Sequence, residues 1–180
     1  LLSDSYIVVG IDNMNSYYDV TLKESRLSGL IEEPNFSFIN QDISSESILS
    51  LIPEDIDIII NLAAQAGVRN SINNPSDYTS SNLVGFSNIL ELARRKKSRL
   101  IYASTSSVYG ANENQPFSEL NIADHPIQYY AATKRANEIM AHSYSSMYQI
   151  ESIGLRFFTV YGPYGRPDMA LFKFTSNILK

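Results

Sequence analysis

The stretch IDIIINLAA, residues 56–64, decides the fold. It is almost continuously apolar and rich in β-branched residues, which is typical of a strand buried on both faces of a parallel sheet. Similar runs occupy residues 6–12, 36–42, 99–105 and 151–162. Between these runs the apolar residues recur with helical spacing. Alternating strands and helices predict an α/β fold with a doubly wound parallel sheet.

The clearest helical pattern spans residues 75–97, where apolar residues share one face and basic residues suit the negative end of the helix dipole. A second helix is predicted over 126–148. A third begins near Asp168, which we expect to act as its N-cap. Shorter helices are predicted over 20–33 and 44–52.

The composition excludes several classes of protein. The chain has 180 residues, no cysteine and a net charge of -5. Without cysteine there is no disulfide scaffold, thiolate metal site or cysteine nucleophile, and we expect no metal. The negative charge disfavours a nucleic-acid partner, and no apolar run is long enough to cross a bilayer. We therefore expect a cytoplasmic protein with no membrane segment in this part of the chain.

The first two predicted strands end in acidic residues. Asp12, followed by Asn13, could accept both hydroxyls of an adenosine ribose. Asp42, followed by Ile43, suits the edge and face of an adenine. For each aspartate alone a turn or a helix cap is the commoner role, so both interpretations remain open here.

The third strand runs into a loop of small residues, NLAAQAGVR at 61–69. Small side chains let a ligand approach the backbone closely, and Arg69 suits a phosphate or a carboxylate. The same residues would also suit a helix packed on a sheet and a solvated surface arginine.

The last two strands also end in polar loops. The hydroxyl row STSSVYG at 104–110 could bind a substrate oxygen or form a Ser/Thr-rich turn. The irregular segment 157–168 carries Thr159 and Arg166. Five successive strand ends with ligand-competent groups indicate a binding site at one edge of the sheet.

Tyr130 and Lys134 lie four residues apart, on one face of a predicted helix. An ammonium beside a phenol lowers the pKa of the tyrosine from about 10 toward neutrality, which makes it a usable general acid or base. Two alternatives remain: an exposed Tyr/Lys pair, or an ion pair of Lys134 with Glu138 at i,i+4.

In order, these blocks resemble the extended short-chain dehydrogenase/reductase superfamily. They are GIDN, QDIS, NLAAQAGVR, STSSVYG, YYAATKRANE and TVYGPYGRPDMALFKF. Within the superfamily they are most similar to the NAD-dependent nucleotide-sugar epimerases that act on UDP-glucuronate. The resemblance covers essentially the whole chain and implies a Rossmann-like fold.

The resemblance implies roles for individual residues. Catalytic roles fall to Thr105, Tyr130 and Lys134. Cofactor contacts fall to Asp12, Asn13, Asp42, Ile43, Leu62, Ala63, Ala64, Gln65, Asn82, Ser104, Tyr130, Lys134 and Phe157. Substrate contacts fall to Arg69, Thr105, Ser106, Ser107, Tyr130, Thr159 and Arg166, of which Thr159 and Arg166 face the sugar carboxylate.

The implied reaction interconverts UDP-glucuronate and UDP-galacturonate. Tyr130 would take the proton of the 4-hydroxyl while hydride passes from C4 to NAD, and the 4-keto sugar would turn over before hydride returns. An acid at Asp12 repels a 2′-phosphate, which favours NAD over NADP. Relatives often form homodimers through the helices at 75–97 and 126–148. Side chains that could serve that interface or the core are Leu83, Phe86, Ile139 and Met140.

The sequence departs from the superfamily pattern at both ends. The Gly-rich turn that follows the first strand of the superfamily and binds the pyrophosphate is absent. We therefore expect residues 1–180 to form a partial NAD-binding domain, incomplete at the N-terminus, with the substrate-binding lobe starting near 163–180. The isolated fragment would bind NAD poorly and be non-catalytic.

Other activities of the superfamily stay open. An epimerase of the glucose/galactose type is disfavoured by Thr159, where such enzymes tend to carry Asn, and by Arg166, a ready partner for a carboxylate. Dehydratases and uronate decarboxylases usually carry an acid just after the active-site Ser/Thr, whereas Thr105 is followed by Ser106 and Ser107. A reductase that releases a reduced sugar, or a binding protein that has lost its chemistry, are further alternatives.

Overall fold

The structure, a computed structural model, describes residues 1–179. Its strands are β1 (Val8–Asp12), β2 (Phe36–Asn40), β3 (Ile58–Asn61), β4 (Arg99–Thr105) and β5 (Ser152–Phe157). Its α-helices are α1 (Val20–Ile31), α2 (Ile48–Leu51), α3 (Asn70–Asn73), α4 (Pro75–Tyr78), α5 (Gly85–Lys96), α6 (Tyr129–Tyr148) and α7 (Ala170–Ile178). Short 3₁₀ turns cover Leu2–Asp4 and Ser106–Tyr109, and a π-helical segment covers Thr79–Val84.

The chain divides into two compact units. One holds Leu1–Gln41 together with the chain from Thr159 onward, and the other holds Asp42–Phe158. In the first unit β1 and β2 pair in parallel, with Asp12 opposite Asn40 at the carboxyl end of the pair. The connection between these strands is the helix α1, as expected for a parallel pair.

In the second unit β3, β4 and β5 form a parallel sheet with β4 in the middle. Helices α5 and α6 pack on one face, where Leu100 and Tyr102 are buried and the ring of Phe86 lies 5.2 Å from that of Tyr102. Successive residues of a strand point to opposite faces. The other face exposes the apolar side chains of Ile58, Ile60, Ile153, Leu155 and Phe157.

The predicted parallel α/β architecture is confirmed. Each of the five predicted runs contains one strand, and every strand pair is parallel. Within residues 1–179 the strands form two ladders, β1–β2 and β3–β4–β5. The carboxyl ends of the strands in each ladder lie at one edge, which is where the sequence placed the polar residues.

Two helix predictions need correction. The predicted helix over 75–97 is interrupted, because the π-helical segment Thr79–Val84 separates α4 from α5. Asp168 does not cap the last helix. That helix begins at Ala170 after Met169, without a side-chain cap, because the carboxylate of Asp168 is bonded to a nearby arginine.

The four side chains that could serve a dimer interface or the core differ in exposure. Of the side chains considered for a dimer interface, Phe86 is buried in the core and Ile139 is 57% exposed. Leu83 and Met140 are half-buried. None of the helices within residues 1–179 has the length and apolar character that crossing a bilayer requires.

A pair of glycine substitutions tests the packing around Ile43. A Cβ added at Gly85 would lie 2.7 Å from Cγ1 of Ile43, which is buried, whereas a Cβ at Gly29 in α1 meets nothing within 4 Å. We expect Gly85→Ala to lower the free energy of unfolding by about 1 to 3 kcal/mol through overpacking. Gly29→Ala should raise it by up to about 1 kcal/mol, because alanine loses less backbone entropy in a helix.

Urea denaturation of the full-length protein measures both changes as shifts of the midpoint at constant slope. Equal effects of the two substitutions would contradict the close contact at Gly85.

Candidate active site

Helix α6 carries the predicted proton-transfer pair. Lys134 is only 2% exposed. Burial lowers the pKa of Lys134 to about 8, and the negative charge of Glu138 counteracts part of that effect. Among residues 1–179 no acid forms an ion pair with Lys134. A buried ammonium without a counter-ion is unfavourable, which makes the surroundings of Lys134 a candidate functional site.

Glu138, which the i,i+4 spacing offered as an ion-pair partner for Lys134, forms its hydrogen bonds with other residues. Its carboxylate accepts hydrogen bonds from Arg156 Nε and Nη2 at 2.9 Å each, from Arg135 Nη1 at 2.7 Å and from the hydroxyl of Ser104 at 2.6 Å. Burial alone would raise the pKa of Glu138, but these bonds hold it below its usual value. The alternative of a Lys134–Glu138 ion pair is therefore wrong.

Tyr130 is half-buried one helical turn before Lys134. Its ring packs edge-on against that of Tyr78 at 6.1 Å between centroids. Tyr78 is fully buried, and its hydroxyl lies 2.6 Å from the carbonyl oxygen of Gly67 and 3.0 Å from that of Ala66. The ring of Tyr130 is thereby fixed relative to the small-residue loop that follows β3.

Asn82 joins that loop to α6. Its side-chain oxygen accepts the backbone N–H of Gln65 at 2.8 Å. Its amide nitrogen donates to the Gln65 carbonyl and to the hydroxyl of Thr133, at 3.0 Å each. All its hydrogen-bonding groups are thus used inside the protein, and its role is to position the loop. Asn82 lies in the π-helical segment, a feature that often marks functional sites.

Ser104 and Thr105 end β4 and point to opposite faces of the sheet. The buried hydroxyl of Ser104 donates to Glu138, so it is used within the protein. The hydroxyl of Thr105 accepts the backbone N–H of Ser107 at 3.2 Å and caps the following 3₁₀ turn. That hydroxyl keeps its proton for donation to a ligand. Ser106 and Ser107 are half-buried beside it.

The loop after β3 presents backbone to the solvent. Leu62 is 63% exposed and Ala63 is exposed, while Gln65 is only 7% exposed. Gly67 has a φ of 106°, a conformation that favours glycine. Arg69 is exposed, and within residues 1–179 it has no ion-pair partner. Ala64 is half-buried.

The two acidic strand ends both form turns. Asp12 accepts the backbone N–H of Met14 at 2.7 Å and the ammonium of Lys23 at 3.2 Å, yet half of its side-chain surface is exposed. Asp42 accepts the backbone N–H of Ser44 at 2.8 Å and its hydroxyl at 2.7 Å. The turn interpretation therefore holds for both, and for Asp12 it leaves surface for a ligand. Asn13 is half-buried beside Asp12.

Ile43 and Phe157, two of the predicted apolar cofactor contacts, differ in exposure. Ile43 is 8% exposed and lies against Gly85 at the start of α5. Phe157, the last residue of β5, is 41% exposed.

Arg166, predicted to bind a substrate carboxylate, already holds one from the protein. Its Nε lies 2.9 Å and its Nη2 2.6 Å from the two oxygens of Asp168. The bond from Arg166 lowers the pKa of Asp168. The hydroxyl of Tyr17 donates to the same carboxylate at 3.4 Å. This two-pronged geometry is the one that a guanidinium uses for carboxylate ligands. Thr159 is exposed.

Residues 1–180 match the sequence model of a known family, described as the NAD dependent epimerase/dehydratase family. The chain belongs to that family.

Individual relatives agree with this assignment. The chain is 53% identical to Protein CapI of Staphylococcus aureus, over 99% of this chain and 54% of that protein. It is 50% identical to a Rhizobium meliloti protein named Probable UDP-glucuronate 4-epimerase, over 99% and 53%. A crystal structure of UDP-glucuronic acid 4-epimerase from Bacillus cereus, in complex with UDP-glucuronic acid and NAD, matches with a TM-score of 0.91 and 35% identity, over 98% of this chain and 56% of that one. The chain spans about half the length of the curated relatives it matches.

In this member of the epimerase/dehydratase family, several residues around the site were not predicted from the sequence. They are Tyr78, Thr133, Asn137 and Arg156, and each acts through a partner far away in the chain. Asn137 is fully buried and donates to the backbone carbonyl of Asn82 at 2.6 Å. A strand arginine inside an otherwise apolar run, as at Arg156, is the one signal that could have indicated a buried acid nearby.

The burial of Lys134 predicts a pH dependence of stability in the absence of ligands. Burial lowers the pKa of Lys134 to about 8 in the folded chain, whereas the ordinary pKa of a lysine is 10.5. Between these values the unfolded chain binds more protons, so the free energy of unfolding rises with pH. From pH 7 to pH 10 the gain from this group is about 2 to 3 kcal/mol.

Denaturation of the wild-type protein and of Lys134→Met at both pH values isolates this gain, which the variant lacks. Lys173→Met, at an exposed lysine of α7, serves as the control and should follow the wild type. Parallel pH profiles of wild type and Lys134→Met would contradict the burial of the ammonium.

Proposed function

We propose that this chain is part of an NAD-dependent nucleotide-sugar 4-epimerase that interconverts UDP-glucuronate and UDP-galacturonate. The observation that carries the proposal is the buried ammonium of Lys134, which has no ion-pair partner among residues 1–179 and lies one helical turn after Tyr130. The helix that carries both residues packs on β4, the strand that ends in Thr105. The relatives named for this activity match nearly the whole chain.

The described residues fit NAD as the cofactor. Lys134 offers a buried cation for the hydroxyls of the nicotinamide ribose, and the half-exposed Asp12 offers a carboxylate for those of the adenosine ribose. The remaining cofactor residues are Asn13, Asp42, Ile43, Leu62, Ala63, Ala64, Gln65, Asn82, Ser104 and Phe157, of which Asn82 and Ser104 act by holding other residues. When bound, NAD accepts hydride from C4 of the sugar and returns it.

The chain's own residues move the proton. Tyr130, as phenolate, takes the proton of the 4-hydroxyl and later returns it. The charge of Lys134 stabilises the phenolate, because an adjacent cation favours the ionised form of a tyrosine. The hydroxyl of Thr105 donates to the sugar 4-oxygen and orients it. A general acid or base placed in this way accelerates a reaction by about 10²- to 10⁴-fold.

Recognition of the substrate falls to the cations and hydroxyls of the strand ends. Arg166 binds the sugar carboxylate with the geometry it now uses for Asp168, and Thr159 assists. Arg69 suits the diphosphate. Ser106 and Ser107 lie next to Thr105 and complete the hydroxyl row.

The environment of Thr105 favours epimerisation over dehydration or decarboxylation. The residues that follow it are serines, and the carboxylate nearest in the hydrogen-bond network, Glu138, is held by Arg135, Arg156 and Ser104. A carboxylate that accepts several charged hydrogen bonds is a weak base. It is therefore poorly suited to removing a proton from C5.

Assembly and location are part of the proposal. We infer that residues 1–180 form a partial NAD-binding domain with the substrate-binding lobe starting near 163–180. We further infer a cytoplasmic homodimer that does not bind nucleic acid. Exposed apolar side chains on α6, such as Ile139 and Met147, support an interface on that helix.

The full-length protein incubated with UDP-glucuronate and NAD tests the activity. Proton NMR should show conversion of the gluco to the galacto configuration at C4 without loss of carbon dioxide. Release of carbon dioxide would instead identify a decarboxylase, and conversion of UDP-glucose but not UDP-glucuronate would identify a neutral-sugar epimerase.

A pair of adjacent tyrosines tests the mechanism. We expect Tyr130→Phe to lower kcat by about 10²- to 10⁴-fold, since it removes the acid–base group, while UDP-glucuronate still binds. Tyr129→Phe is the matched control, because Tyr129 is 41% exposed and its hydroxyl bonds to Thr79. Calorimetric titration with UDP-glucuronate and steady-state kinetics measure both effects. Full activity of Tyr130→Phe would remove the proposed mechanism.

A further inference from the structure

The strongest polar cluster in the second unit centres on Glu138. This carboxylate lies on α6 one turn after Lys134, and its side chain is 11% exposed. One oxygen accepts Ser104 Oγ at 2.6 Å and Arg156 Nε at 2.9 Å. The other accepts Arg156 Nη2 at 2.9 Å and Arg135 Nη1 at 2.7 Å. Its partners come from β4, β5 and α6 itself.

Each partner is adjacent in sequence to a residue of the proposed site. Ser104 precedes Thr105, and Arg135 follows Lys134. Arg156 lies opposite Ser104 in the β4–β5 ladder, so both side chains point to the face on which α6 packs. Glu138 therefore bonds the strand end that carries the hydroxyl row to the helix that carries Tyr130.

The charges around Glu138 are mostly positive. Lys134, Arg135 and Arg156 are cations, and the second acid of the cluster, Asp124, is held by Arg135 at 2.9 Å. The ring of Tyr109 faces Arg156 at 4.9 Å from its centroid. Burial raises the pKa of Tyr102 on β4 to about 12, and the charge of Glu138 adds to that shift. Nε of Arg135 and Nη1 of Arg156 are buried without a hydrogen-bond partner.

We propose that Glu138 is a positioning residue of the active site, whose negative charge keeps Lys134 protonated and whose hydrogen bonds fix Thr105 relative to Tyr130. This inference deepens the proposed function, since it names the group that sets the charge of the catalytic lysine.

The protonation state of Lys134 depends on two opposing effects, its burial and the negative charge of Glu138. Lys134 loses hydration in the protein interior and has no counter-ion among residues 1–179. Without Glu138 the surrounding charges would be those of Arg135, Arg156 and Asp124, and their net positive charge would favour the neutral amine. A change of one unit charge at a separation of one helical turn, in a partly buried setting, shifts a titration by about one pH unit.

Two substitutions separate charge from geometry. Glu138→Gln keeps the size of the side chain and removes the charge, whereas Glu138→Asp keeps the charge and shortens the reach. Glu91→Gln is the control, because Glu91 also accepts bonds from an arginine and a tyrosine, Arg94 and Tyr144, but on the α5 side of the unit.

The first readout needs neither cofactor nor substrate. Carbon-13 NMR of the full-length protein with lysine labelled at Cε follows each ammonium through its titration, and Lys134→Arg identifies the signal of Lys134. We expect Glu138→Gln to move the Lys134 titration down by about one pH unit. Glu138→Asp and Glu91→Gln should leave it within a few tenths of a unit of wild type. An unchanged titration in Glu138→Gln would overturn the proposal.

The second readout is the pH profile of kcat with UDP-glucuronate. The decline at high pH should begin about one unit lower in Glu138→Gln, whereas Glu138→Asp should lower kcat and leave the position of that decline unchanged. A wild-type protein without epimerase activity would remove the proposed function but leave the lysine titration as a test of Glu138.

If Glu138→Gln does not fold, the same substitution can be tested in a protein that already carries Arg156→Gln. Arg156→Gln removes the buried cation that the substitution would leave unpaired, and circular dichroism checks the fold of each variant. Adding Glu138→Gln to Arg156→Gln should again lower the Lys134 titration by about one pH unit relative to Arg156→Gln alone. No shift in this background would also overturn the proposal.

Discussion

The buried ammonium of Lys134 is the constraint around which the second unit is arranged. A charge that has lost its hydration requires compensation, and the acid one turn away is bonded instead to two arginines and a serine. Lys134 therefore stays a cation without an ion pair within residues 1–179, and the phenol of Tyr130 is positioned one turn before it. The remaining polar contacts, through Asn82 and Tyr78, hold the neighbouring loop in place.

The division into two units separates the proposed tasks. The groups proposed to move the proton, Tyr130, Lys134 and Thr105, all belong to the second unit together with the network that supports them. The first unit contains Asp12, proposed to bind the adenosine ribose, and Arg166, proposed to bind the sugar carboxylate. Chemistry and most of the recognition of charged groups are thus assigned to different parts of the chain, a common arrangement when one fold serves many substrates.

Much of the fold and part of the site follow from the sequence alone. Continuous apolar runs identify the strands, although within residues 1–179 one face of the β3–β4–β5 sheet is exposed and not covered as the pattern predicted. The parallel arrangement gathers the polar strand ends. The contacts of Glu138 could not be predicted, since local spacing offered Lys134 as its partner and only the register of β4 and β5 brings Arg156 and Ser104 to it. Asp168 failed as a helix cap for a similar reason, because Arg166 is the stronger partner.

The pairing of Arg166 with Asp168 limits how strongly Arg166 can select a charged substrate over a neutral one. In the proposed function a uronate that binds Arg166 replaces the carboxylate of Asp168 with its own, so the guanidinium is neutralised both before and after binding. The affinity gained there is the small difference between an internal and an external anion, and not the full attraction of a bare cation. A neutral sugar leaves the ion pair of Arg166 with Asp168 intact, so its binding leaves neither charge without a partner. The exchange of carboxylates therefore gives only a small difference in affinity between acidic and neutral sugars. A strict preference for an acidic sugar must come from how well its carboxylate aligns the ring for reaction.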